Sequence, residues 1–101
     1  MVQVLLVSNN NDEDVKKVKD TIEEVGVDYF VDANVIIKTE EQIDSCIANS
    51  DFVVSLIPYL DVDDKKVIDA TPIIKGRFQE KTEKDILNQL LRHKVRGHKN
   101  V

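Results

Sequence analysis

Residues Val2 to Val7 form an apolar run broken only by Gln3. A strand this uniformly apolar suits a parallel sheet covered on both faces. It ends in Ser8-Asn9-Asn10-Asn11, residue types that favour turns and helix caps. The period then changes. Val15, Val18, Ile22 and Val25 step by three and four, which predicts a helix from about Asp12 to Val25. Asn11 suits its N-cap, and Asp12, Glu13 and Asp14 fall in the first turn, where the helix dipole favours acids. Gly26 stands where a left-handed stop is expected.

From Val27 to Lys38 the chain carries two apolar pieces, Tyr29-Phe30-Val31 and Val35-Ile36-Ile37, around Asp32-Ala33-Asn34. This pattern reads as one long, bulged second strand or as a tight hairpin. Thr39-Glu40-Glu41-Gln42 is a capping box opening a short helix that buries Ile43, Cys46 and Ile47. Asp51 to Ile57 is a second doubly buried strand, broken by Pro58. An acidic loop, Tyr59 to Asp64, leads to a short strand at Val67-Ile68, and Thr71 to Gly76 reads as a structured loop with an apolar anchor. Thr82-Glu83-Lys84-Asp85 caps a last helix whose inward face is Ile86, Leu87, Leu90 and Leu91.

Strands alternating with helices imply a parallel sheet with helices on both faces: a three-layer α/β/α sandwich of four mainly parallel strands. Its core is expected to contain Val4, Leu6, Val18, Ile22, Val53, Val54, Ile68, Leu87 and Leu90. Ligands of such sheets sit beyond the C-terminal strand ends, near the switch in strand order. That selects three loops: 8–11, 58–64 and 70–77.

Composition narrows the chemistry. The 101 residues are 42% apolar and 33% charged, which fits one globular domain and no disordered or low-complexity segment. No apolar run reaches the roughly 18 residues of a membrane span, so a non-membrane, cytoplasmic protein is expected. A net charge of −5 argues against a nucleic-acid module. Cys46 is the sole cysteine, which excludes an internal disulfide, and its apolar helical neighbours make it a small hydrophobe. Asp61, Asp63 and Asp64 with Asp12 and Asp14 match no calcium loop, and His93 and His98, five apart, do not share a helix face. Neither a metal nor a cofactor is expected. Residues 93–101, with Arg96 and Lys99, read as a basic, frayed tail after a domain of residues 1–92.

The first loop lacks the glycines of a phosphate cradle and is followed by three acids. Lys75 and Arg77 supply the cations of the last loop, and Gly76 permits close backbone approach. The anion- or partner-binding loops are therefore expected to combine Ser8, Asn9 and Asn10 with Thr71, Lys75, Gly76 and Arg77, any anion lying nearer the latter group.

Asn49-Ser-Asp-Phe-Val-Val-Ser-Leu-Ile-Pro58, an acidic spacer, and Lys66-Val-Ile-Asp-Ala-Thr-Pro-Ile-Ile-Lys-Gly76 before an amphipathic closing helix resemble the IIB components of sugar phosphotransferase systems, of the galactitol and lactose/cellobiose-like group. The resemblance spans about residues 1–92 and is carried by 49–91. It implies a four-stranded parallel sheet in order 2-1-3-4. It also implies phosphorelay in sugar uptake, with a IIA protein and a membrane IIC protein as partners. The family's nucleophile is a cysteine just after the first strand, followed by a Gly-rich loop, and here about that position is Ser8, then Asn9. A serine hydroxyl needs an adjacent base where a thiolate does not. The expectation is therefore a IIB-like scaffold without its reactive centre, acting by protein binding. Val4-Leu-Leu-Val-Ser-Asn-Asn-Asn-Asp-Glu-Asp-Val15 also resembles the opening of response-regulator receiver domains, although the third strand ends in Ser55-Leu56-Ile57 and not in a phosphoacceptor aspartate. A receiver-like signalling domain is the alternative, with an orphan α/β scaffold free of chemistry behind it.

Overall fold

In β1 (Val2–Val7) every residue except Gln3 is buried. Such a strand needs neighbours on both edges and cover on both faces. β2 (Ala33–Lys38) pairs along one edge and β3 (Phe52–Ser55) along the other, with β4 (Val67–Asp69) beyond β3. All pairings are parallel and the order is β2-β1-β3-β4. Val4 lies level with Val35 and Phe52, and Val54 with Ile68. The computed structural model describes residues 1–9, 12–58, 60–62 and 65–97, without the side chains of 12 and 95–97.

The two faces are covered differently. On one, Val2, Val4, Leu6, Phe52, Val54 and Ile68 pack against Val18, Ile22, Ile73, Ile86 and Leu90. These come from three helices: α1 (Asp12–Asp28), α2 (Thr71–Lys75) and α3 (Gln79–Gly97). On the other face Leu5, Val7 and Val53 meet Ile43 and Val62, with Cys46 and Ile47 at the margin. That cover consists of two 3-10 turns, Glu40–Ser45 and Ile47–Asn49, and the connection from β3 to β4. The third layer is therefore thin, and the short helix expected after the capping box is 3-10. The capping box itself is present: Gln42 Oε1 accepts from the Thr39 N–H at 3.1 Å.

Several boundaries differ from the sequence pattern. α1 runs past Gly26 to Asp28, and Phe30 takes the left-handed stop position at φ 59°. The Phe30 N–H donates to Val27 O and the Val31 N–H to Gly26 O, the paired bonds of a Schellman ending. Gly26 serves that closure in another way, since a Cβ there would lie 2.7 Å from Val31 O. Tyr29-Phe30 is thus a helix exit, neither strand nor hairpin, and β2 starts at Ala33.

The Thr71–Gly76 segment is a short helix closed by Gly76 at φ 68°, where nothing approaches a built Cβ. Gly76 is there for its backbone conformation and not for close approach. α3 begins at Gln79, so Thr82 lies inside it and is buried, in a row with Ile86 and Leu90. Leu87 sits on the rim facing α1 and is half-buried, not core, while Leu91 is 37% exposed. The other expected core residues are buried.

α3 continues to Gly97, so residues 93–97 of the expected tail are helical, and 98–101 lie outside the described residues. The His93 ring stacks on Phe52 at 6.1 Å, with Nδ1 3.8 Å from Asp51 Oδ1. Lys94 Nζ donates to Phe30 O at 2.9 Å. The basic end of α3 therefore braces the exit of α1 and the start of β3. Among the described residues no helix is long and apolar enough to cross a membrane.

Candidate functional site

The strand order reverses between β1 and β3, since β1 continues to β2 on one side while β3 and β4 lie on the other. Beyond the C-terminal ends of this pair lies a crevice of about 400 Å³, lined by Ser8, Asn9, Asp14, Pro58, Thr71 and Ile74 among others. Each element delivers its part for a local reason. β1 ends at Val7, and the Ser8 N–H continues the ladder by donating to Lys38 O at 3.0 Å. Asn9 is fixed by its Oδ1, which accepts from the Glu40 N–H at 3.0 Å. β3 ends in a tight turn: Ser55 Oγ accepts from the Ile57 N–H at 2.9 Å and donates to Ile57 O at 3.1 Å. Pro58 then takes the chain away from the sheet.

Ser8, Asn9 and Thr71 thus meet in one crevice, as the parallel topology requires. Asn10 lies outside the described residues. Lys75 and Arg77 line an adjoining depression of about 400 Å³ with Asp69, Thr71, Pro72 and Phe78, and Gly76 borders a groove beside β4. Thr71 borders both hollows, so Ser8 and Asn9 lie on one side of it and Lys75 and Arg77 on the other.

The start of α2 at Thr71 carries a carboxylate of the chain's own. Asp69 Oδ1 accepts from both the Thr71 N–H at 2.9 Å and the Thr71 Oγ at 2.6 Å. A carboxylate of the chain already occupies the place an anion would take at the start of α2. No family model matches the chain, and no curated protein matches it. The crevice therefore has to be read from its own chemistry.

That chemistry is sparse. Ser8 is 8% exposed, which leaves its hydroxyl little access to a reactant. Cys46 packs beside the cluster on the opposite face, its Sγ 3.6 Å from Ser45 Oγ, and does not line the crevice. Among the described residues no group of three His, Cys, Asp or Glu side chains is placed to hold a metal ion. Asp61 lies there on an exposed loop, while Asp63 and Asp64 fall outside the described residues.

On the far side of Asn9, Lys16, Lys19 and Lys38 line a second cleft. The loop-based reading passed over them because none lies in a loop at the strand ends. The i, i+3 spacing of Lys16 and Lys19 on one helix face was the available signal.

Proposed function

We propose that the chain is a IIB-like protein of the phosphotransferase type that acts by docking partner proteins of the IIA or IIC kind and does not carry phosphate. The observation that supports this reading is the all-parallel sheet in order β2-β1-β3-β4 with its switch-point crevice. This is the architecture implied by the 49–91 segment's resemblance, with Ser8 where that family carries its cysteine. A shielded serine in that place and a cysteine on the other face fit a scaffold retained for its surface. The receiver-like reading gains nothing from β3, whose terminal Ser55 hydroxyl is committed to Ile57.

Incubation with general phosphorelay proteins and labelled phosphoenolpyruvate tests the reading. The expected result is no label on this chain, together with saturable binding to a IIA or IIC protein. Label on Ser8 or Cys46 overturns the non-carrier part, and absence of binding to either partner class overturns the docking part.

A further inference from the structure

Lys16 and Lys19 lie about one turn apart on α1, and Lys38 is the last residue of β2. Parallel pairing sets Lys38 level with Val7, the point from which the chain turns towards α1. The three side chains consequently line one cleft of about 550 Å³, together with Asn9, Thr39 and Gln42. That volume is within the roughly 300–1,000 Å³ of small-ligand sites.

Seven of the ten described residues that line it carry a side-chain hydrogen-bond donor, and Val15 and Ile37 add apolar wall. Among the described lining residues Asp20 is the one carboxylate, against three ammonium groups, in a chain whose net charge is −5. No carboxylate among the described residues lies within ion-pair distance of any of the three. Lys19 and Lys38 are half-buried, the pattern of side chains that lay their stems along the surface and keep the ammonium group in water, where it can meet a ligand. The two amides are also oriented. Gln42 Oε1 accepts from the Thr39 N–H, and Asn9 Oδ1 from the Glu40 N–H. Each amide therefore has its acceptor occupied, and its NH2 has no partner among the described residues. A concave site with clustered positive charge focuses its field on an anion.

We propose that this cleft binds a small phosphate-bearing anion of two or more negative charges. Its oxygens are held by Lys16, Lys19 and Lys38, and Asn9 and Gln42 donate at the rim. Ile37, 43% exposed and lining the same cleft, offers apolar contact to the carbon part of a phosphate ester. The site differs from the last loop, where Asp69 has taken the anion's place. It does not rest on the docking reading, and its test uses no partner protein, so each fails on its own.

The experiment is a titration of the full chain with inorganic pyrophosphate, followed by amide NMR. Saturable shifts centred on residues 16–20 and 38–42 are expected. Lys16→Gln and Lys38→Gln should each weaken binding about tenfold, the scale of one charge-assisted hydrogen bond. Asp20→Asn, which removes the opposing carboxylate among the described lining residues, should tighten it. Lys81→Gln, on the β4 side, should leave it unchanged, and the amide spectrum of each variant reports retention of the fold. Shifts centred on 71–77, equal weakening by Lys81→Gln, or no saturation at millimolar pyrophosphate overturns the proposal.

Discussion

The two faces of the sheet bury strands of the same composition under unlike cover. The helical face closes over Phe52, Val54 and Leu6 with three α-helices, whose long side chains interlock. The opposite face closes over Leu5, Val7 and Val53 with 3-10 turns and part of the β3–β4 connection, and Ile43 and Val62 are its buried plugs. A 3-10 turn has poorer hydrogen-bond geometry than an α-helix and seldom exceeds four residues, so that layer can shift more cheaply. Dense packing resists collapse around a cavity and thin packing allows it, and the cost of a cavity depends on that difference.

The largest expected effect comes from Phe52→Ala on the helical face. It removes a ring that is fully buried and stacked on His93, and should cost about 3–5 kcal/mol in denaturant unfolding. Ile43→Ala on the thin face should cost about 2 kcal/mol, the low end for such a deletion, because the turn can settle into the space. Equal losses at the two sites would erase the distinction drawn between the faces. The double variant sharpens it, since independent faces require the two losses to add within about 0.5 kcal/mol.

Gly26→Ala sets two effects against each other. Helix propensity favours alanine by about 1 kcal/mol. The new Cβ, however, would lie 2.7 Å from a backbone oxygen that has to move. Overpacking of this kind costs about 1–3 kcal/mol, so a net loss of about 1 kcal/mol is expected. The smallest effect is a gain. Phe30→Gly relieves a left-handed phenylalanine that is 86% exposed, and should raise stability by about 0.5 kcal/mol after the entropy of the unfolded glycine is counted. Thermal melts of these two variants should therefore move in opposite directions.

The same pair of residues marks where the sequence was legible and where it was not. β1, β3 and the body of α1 were plain because burial on two faces, or on one helical stripe, leaves a periodic trace. The end of α1 left a misleading one. Gly26 is the residue type expected at a left-handed stop, yet it sits inside the helix for lack of room, and Phe30 takes the unfavourable conformation. Tyr29-Phe30-Val31 then resembled a strand because apolar, aromatic residues usually earn that reading. In the crevice, Ser8, Asn9 and Thr71 were foreseeable, since parallel strands deliver their C-terminal ends to one edge. Lys75 and Arg77 line a neighbouring hollow because Thr71–Lys75 is helical, and the chain there had shown no helical period. Lys16, Lys19 and Lys38 come together only once β2 lies against β1, a long-range fact that no local window contains.

The register of β1 also bears on the order in which the molecule can assemble. Val4 pairs with Val35 on one side and Phe52 on the other, so the central strand has no partner near it in sequence. Its helical face is sealed only when Ile86 and Leu90 arrive. Closing loops of this length precedes any reward from the contacts they make, which slows folding relative to a bundle of local contacts. A chain emerging from the ribosome exposes Val2, Val4, Leu5, Leu6 and Val7 well before anything can cover them. That interval gives a holding chaperone its natural point of engagement, and truncations ending before α3 should be the forms that aggregate.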